Sequence, residues 1–387
     1  MRVLVVTVVH TPLDARIYHR EIAALREAGH EVVYVAPWSG YGIAPPTDVP
    51  GLEPRDVVRA SGRDRLRALR DARRLVRSLA PTCDLVLLHD PELLLATAFL
   101  GRRTAIRARD VDMPTSRSRI PLVWDVHEDT AGALVDKPWL PGFLRPVVRA
   151  AVAALERLAE RRRHLLLAEE AYADRFRRPH PVVPNTPRVP PEVPPPGGDR
   201  VVYLGRVSRL RGAAELVGIA RALAGEGVTV EVIGQADADV EPALRAAGEH
   251  GLDWRGFVPN DEALPRLEGA LAGLSLLADE PNYRVSLPTK VLEYAGRGIP
   301  VITTPLPPAV RIVEAYDCGV VVPFGDPDAA ALAIRELRDD AARRRRLGRN
   351  GHEAVVERHN WDVDGPAFVR QLEGWATRVP RATSGTP

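Results

Sequence analysis

The stretch Ser286-Leu287-Pro288-Thr289-Lys290-Val291-Leu292-Glu293 brings a proline, a lysine and a glutamate into one short run. Pro288 suits the first turn of a helix, where no amide hydrogen is needed. The free amides of such a turn, with the positive end of the helix dipole, form an anion site. Glu293 follows about one and a half turns in, where a carboxylate can accept two hydroxyl hydrogen bonds from a ribose. The same spacing also fits a surface Lys290–Glu293 pair, worth about 0.2–0.5 kcal/mol. A second cluster reads Val201-Val202-Tyr203-Leu204-Gly205-Arg206, then Arg211-Gly212. An apolar run ends in glycine, and two arginines flank the start of a helix. Two guanidiniums at a strand–helix junction can clamp a diphosphate bidentately.

Two further polar clusters each follow an apolar run: His89-Asp90-Pro91-Glu92 and Trp124-Asp125-Val126-His127-Glu128. They fall at the carboxyl ends of strands, as do Asp14 and Arg16 in the loop after the first strand. Asp14 also reads as a helix cap. A metal site would need a third and fourth ligand at workable spacing, and the sequence offers none. Asp-x-Asp occurs at Asp110/Asp112, Asp237/Asp239, Asp326/Asp328 and Asp362/Asp364, too often to discriminate. Gly40-x-Gly42 runs into Pro45 and opens no helix, so it is no dinucleotide fingerprint, and no phosphate loop is present.

These clusters need strand tips to sit on, and the chain supplies them. Its 387 residues suit two domains of about 150–200 residues. Strands are expected at 2–9, 31–36, 84–88, 120–126 and 165–168, with helices about 15–28, 64–79, 92–100 and 142–163. Residues 37–63 read as a long loop. Nine of the twenty residues from Pro179 to Gly198 are proline, which bars a central strand or a helix interior. Strands then resume at 200–204, 228–233, 253–257, 273–277, 299–303 and 319–322, with helices such as 212–225 and 288–297. The alternation predicts an α/β protein of two doubly wound parallel sheets. The expected organisation is an N-terminal Rossmann-like domain at 1–180, a Pro-rich linker at 181–199 and a second Rossmann-like domain at 200–360. A last helix at 361–377 and a disordered tail at 378–387 follow. Ligands of such sheets bind beyond the strands' carboxyl ends, so a cleft between the domains is the expected site.

Composition narrows the chemistry. Net charge is +2, with 53 basic against 51 acidic residues, and aromatics are only 5%. A nucleic-acid binder would be more basic and, for single strands, more aromatic. Cys83 and Cys318 are the only cysteines, too few for a disulfide framework, which fits a cytoplasmic protein. No apolar run approaches a membrane span. Lysine occurs only at positions 137 and 290, so an arginine here can stand where another protein would carry lysine.

Taken in order, the clusters resemble retaining glycosyltransferases of the GT-B fold, family 4, of the polysaccharide-building type. The likeness runs from Asp14-Ala15-Arg16-Ile17 through His89-Asp90-Pro91-Glu92, Asp125-Val126-His127-Glu128 and Val183-Pro184-Asn185 to Gly205-Arg206 and Arg211-Gly212. It ends with Leu287-Pro288-Thr289-Lys290, Glu293-Tyr294 and Gly298-Ile299-Pro300-Val301-Ile302. The resemblance implies two facing Rossmann-like domains and transfer of a sugar from a nucleotide-diphosphate sugar, UDP- or GDP-linked, to a hydroxyl acceptor. It implies no cofactor and no metal. Arg206 and Arg211 would bind the diphosphate and act in catalysis, with Pro288 and Lys290 at the same donor site and Glu293 on the ribose. His127 would lie near the transferred sugar, and Asp14, Arg16 and His89 on the acceptor side. The last helix would cross back onto the N-terminal domain. Many relatives carry a second glutamate eight residues before the ribose-binding one; here that position is Val285. Two other functions share this architecture: a sugar-nucleotide epimerase, which needs no acceptor, and a catalytically silent partner subunit.

The helices at 64–79 and 142–163 are rich in arginine. In the second, Leu144, Val147, Val148, Ala151, Val152, Leu155 and Leu158 share a face. That face reads either as core-facing or as a peripheral contact with an anionic membrane at its inner surface, which would suit a lipid-linked acceptor.

Overall fold

The computed structural model describes residues 1–98, 120–127 and 142–377. The Asp110/Asp112 pair, Glu128 and the tail at 378–387 lie outside them. The chain divides into two compact units, Met1–Pro184 with the residues from Val363 onward, and Asn185–Asp362.

The first unit is built on six parallel strands: β1 (Arg2–Val6), β2 (Glu31–Ala36), β3 (Leu52–Asp56), β4 (Leu85–Leu88), β5 (Leu122–Val126) and β6 (His164–Leu167). Their order across the sheet is β3-β2-β1-β4-β5-β6. The second unit repeats this plan with β7 (Arg200–Leu204), β8 (Thr229–Ile233), β9 (Leu252–Gly256), β10 (Ala272–Ser275), β11 (Val301–Thr303) and β12 (Gly319–Val321). Its order is β12-β11-β10-β7-β8-β9. In each sheet the first three strands step one way and the fourth starts on the other side. The strand order therefore reverses at β1/β4 and at β7/β10, the crevices where sheets of this kind take ligands.

Central strands covered by helices on both faces must be apolar throughout. Val3, Leu4, Val5 and Val6 of β1 are all buried. In β7, Val201 and Tyr203 pack into one core cluster, and Val202 and Leu204 into the other. Tyr294 bolts the second crevice together: its hydroxyl accepts from the Leu204 amide at 2.8 Å and donates to the Leu274 carbonyl at 3.1 Å.

Three expectations are corrected. The loop at 37–63 contains β3, which pairs with β2 despite Pro54. It is an edge strand, where a missing amide hydrogen is tolerated. The helix after β1 opens as a wider π-helical turn over Ile17–Ile22, with the Glu21 amide bonding the Arg16 carbonyl, before an α-helix over Ala23–Glu27. In helix Arg145–Arg162 the buried residues are Val152, Glu156, Ala159 and Glu160, so the proposed apolar face meets the core only in part, through Val152 and the half-buried Leu155. Val147 and Leu158 point to solvent. Glu156 tolerates burial by pairing with Arg175, and Glu160 by accepting the Arg177 and Arg178 amides at 2.8 Å. The last helix, Trp361–Thr377, starts in the second unit and continues into the first.

Candidate active site

In the second unit the candidate residues gather at the β7/β10 crevice. Gly205 follows β7 with φ +118°, and Gly212 has φ +93°; a Cβ on Gly212 would lie 2.6 Å from the Leu276 carbonyl oxygen. Glycine thus lets the loop over Arg209–Arg211 lie against the segment after β10, where the Ala278 amide donates to Leu210 at 2.9 Å. Pro288 caps helix Thr289–Gly296 at its start. Both Lys290 and Glu293 are buried, which removes the surface-pair reading.

Lys290 is 7% exposed, and its ammonium lies 3.7 Å from the centre of the Tyr203 ring. It has no hydrogen-bond acceptor among the described residues. A Cβ on Gly205 would sit 3.8 Å from Nζ, so the loop backbone passes close by. Burial holds the ammonium's pKa well below 10.5; the neighbouring Arg211 lowers it further, and Glu293 only partly opposes them. The Arg211 charge is near enough to act on this ammonium. A buried ammonium left without an acceptor costs free energy unless an anion joins it. Arg206 belongs to the same loop, but its side chain is 66% exposed and its Nε donates to Asp237 at 2.7 Å.

In the first unit a second polar cluster occupies the carboxyl ends of β1, β4 and β5. Asp125, in β5, receives Arg16 bidentately at 2.8 and 2.7 Å. Arg16 also donates to the Val183 carbonyl at 3.1 Å and lies 3.0 Å from Glu21. The His127 Nδ1 is 3.0 Å from the Asp125 carboxylate, and its Nε2 is 3.0 Å from Nε2 of His10. His10 lies 3.3 Å from Asp90, which accepts Thr7 Oγ1 at 3.0 Å and the Val8 amide at 2.5 Å. His89 bridges Asp125 at 3.4 Å and Glu21 at 3.5 Å. Asp14 caps the following turn, accepting the Arg16 and Ile17 amides at 2.9 and 3.1 Å.

Burial alone would push the Asp125 carboxyl up, but Arg16, His127 and His89 outweigh it and hold it well below the usual carboxylate range. The ionised carboxylate fixes the proton of His127 on Nδ1 and leaves Nε2 to accept. Burial, with the Asp125 charge, pushes the Glu21 carboxyl well above its ordinary value despite Arg16. Burial lowers His89, Asp125 opposing and the other two histidines assisting, so His89 stays neutral. Arg16 and His89 are buried, behind Asp125, whereas His127, His10 and Asp14 are partly exposed. His89, Asp125 and His127 offer ligand atoms within 4.8 Å of one another, a grouping that sequence spacing did not reveal. Asp125 is already engaged by a guanidinium, whose charge opposes a cation there.

Sequence reasoning assigned no role to His10, Glu21, Asp90, Asp125 or Tyr203. Asp90 and Asp125 stood inside quoted motifs, beside histidines that drew the attention. Glu21 and Tyr203 gave no signal, because one lies in a helix and the other in an apolar strand.

Solved structures resemble the chain over nearly its full length. Sucrose-phosphate synthase from Thermosynechococcus elongatus is 18% identical, with 96% of this chain and 99% of that one covered and a TM-score of 0.71. HepE from Anabaena, solved with UDP and glucose, is 16% identical over 97% of this chain and 100% of its own, with a TM-score of 0.67. WaaG, a glycosyltransferase involved in lipopolysaccharide biosynthesis, is 12% identical over the same shares, also at 0.67. The fold is GT-B. Residues 212–364 match the family described as glycosyl transferase-like. No curated protein matches the chain significantly. Most of the match over 212–364 lies in the second unit, and it supports glycosyl transfer as the activity. No helix among the described residues is long and apolar enough to cross a membrane.

Proposed function

We propose that the chain is a retaining glycosyltransferase that moves a hexosyl group from a UDP- or GDP-sugar to a hydroxyl acceptor, without a metal, in surface-polysaccharide synthesis. One observation carries the donor assignment: the buried ammonium of Lys290 at the β7/β10 crevice, under the charge of Arg211 and with no acceptor among the described residues. An anionic diphosphate satisfies both cations, and the free amides of the first turn of Thr289–Gly296 add donors. Glu293, one turn further along, takes the ribose hydroxyls. HepE, which shares the fold, was solved with UDP-glucose, and this favours a UDP-sugar.

The chemistry follows from charge. The bond between the anomeric carbon and the diphosphate oxygen breaks, and the acceptor oxygen bonds to the same face. The acceptor proton passes to the departing phosphate, so no protein base is required. Lys290, Arg211, Arg206 once released from Asp237, and the helix amides stabilise the charge that grows on the leaving group. His127, aimed by Asp125 and flanked by His10, is assigned to the transferred sugar. Arg16 and His89 position Asp125 and do not touch the acceptor themselves.

The test supplies UDP- and GDP-sugars with and without a panel of alcohol acceptors, and follows nucleotide release and product stereochemistry by NMR. Acceptor-dependent release with retained configuration is expected. Isomerisation of the donor without acceptor would identify an epimerase instead. No turnover, with nucleotide still bound, would leave a silent subunit.

A further inference from the structure

Two imidazoles meet beyond the carboxyl end of β1. His10 and His127 approach edge to edge, with their Nε2 atoms 3.0 Å apart, ring centres 4.7 Å apart and ring planes inclined by 58°. Each ring has an aspartate of its own. Asp125 stands 3.0 Å from Nδ1 of His127, and Asp90 stands 3.3 Å from Nε2 of His10. The two aspartates are anchored separately, Asp125 by Arg16 and Asp90 by the Thr7 hydroxyl and the Val8 amide. Asp14 lies 4.0 Å from Nδ1 of His10.

These contacts fix where the hydrogens sit. Two bare nitrogens at this distance would repel, so one carries a hydrogen and the other accepts it. Asp125 draws the His127 hydrogen to Nδ1, which leaves Nε2 of that ring as the acceptor. His10 is then the donor. Asp90 demands the same independently, because its oxygen beside Nε2 of His10 accepts. A second hydrogen on Nδ1 of His10, facing Asp14, would not change this. One N–H and one lone pair therefore stand side by side, on two rings that are both partly exposed. An anion seeks donors on both sides, and a cation seeks acceptors on both. One of each suits a neutral hydroxyl, which accepts from His10 and donates to His127. Such a hydroxyl needs the two nitrogens about 4.5 Å apart, a small turn for partly exposed rings.

We propose that His10 and His127 clasp one hydroxyl of the transferred sugar between them, and that His10 makes the enzyme selective for that hydroxyl. This rests on the assignment of His127 to the sugar, and adds His10, held by Asp90, as a second sugar contact. With no hydroxyl between them the two nitrogens bond to each other, so neither is left unpaired. A sugar that lacks the hydroxyl lets the pair close again. Its penalty is then the loss of one hydrogen bond and not the orphaning of two buried groups.

The full chain is titrated calorimetrically with the free nucleotide, with the UDP- or GDP-sugar that binds most tightly, and with the monodeoxy analogues of that sugar. In wild type, removal of one particular hydroxyl weakens binding by about tenfold or more. His10→Phe weakens binding of the parent sugar nucleotide by a similar factor, and the same deoxy analogue then binds no worse than the parent. His10→Gln, whose amide donates from about the same place, restores part of the discrimination. The free nucleotide binds equally to all three proteins, which shows that the variants fold. Discrimination that is the same in His10→Phe as in wild type overturns the proposal, whatever the substitution does to affinity overall. So does a wild type that binds every monodeoxy analogue as tightly as the parent. Absent turnover while the coupling to His10 holds would count against the transfer reaction and leave the clasp standing.

Discussion

The ammonium of Lys290 stands 3.7 Å over the ring of Tyr203, buried and without an acceptor among the described residues. The aromatic face gives it a cation–π contact, worth about 2 kcal/mol or more when desolvated, but not a counter-charge. Lys290→Met keeps the shape and removes the buried charge. It should leave the fold intact and lower turnover by about 10²–10³. Circular dichroism and a steady-state assay check both halves.

The same lysine makes stability depend on pH. Its folded pKa is depressed below 10.5, so between the two values the unfolded chain binds the extra proton. Stability of the ligand-free protein should therefore rise with pH through that window and be penalised below it. Thermal melts of wild type and Lys290→Met across the alkaline range check this: the contribution should disappear in the variant.

Asp125 anchors the first unit's network. Asp125→Asn removes the bidentate partner of buried Arg16, leaves it only the Glu21 carboxyl at 3.0 Å, and should cost about 3–5 kcal/mol. Its folded pKa is held down, so its contribution is complete above the unfolded value of 3.8 and is lost as pH falls through the folded one. Urea titrations at neutral and acid pH measure both. Glu21→Gln should cost far less, since burial already disfavours the charge on Glu21.

On the proposed assignment of His127 to the transferred sugar, His127→Ala should lower turnover by about 10²–10³ while nucleotide affinity stays unchanged. Comparing kcat with the Kd for UDP separates the two.

Gly212→Ala places a methyl 2.6 Å from the Leu276 carbonyl oxygen at φ +93°. Backbone strain alone costs about 1–3 kcal/mol, before the clash is counted. A drop in melting temperature with a weakened nucleotide response is the expected outcome.

Much of this was legible in the sequence for a simple reason. Continuous apolar runs such as Val3–Val6 and Val201–Leu204, bounded by turn signals, read as strands buried on both faces, and their alternation with helices implies parallel sheets. The polar clusters at Gly205, His89 and His127 stood at the ends of those runs, so their location followed. What could not be read was three-dimensional pairing. Nothing local joins Arg16 to Asp125, 109 residues away, or turns Glu156 and Glu160 of an arginine-rich helix inward. Nor could the β3 pairing be read, because Pro54 in a glycine- and proline-rich loop argues against any strand but an edge one.

The most direct test of the donor site is thermal shift with UDP, GDP and ADP against wild type and Lys290→Met. At a ligand concentration 100 times its Kd, one nucleotide should stabilise the wild type by about 2.7 kcal/mol, and the substitution should remove most of that gain. A full shift retained in Lys290→Met, or no response of the wild type to any of the three, would contradict the assignment.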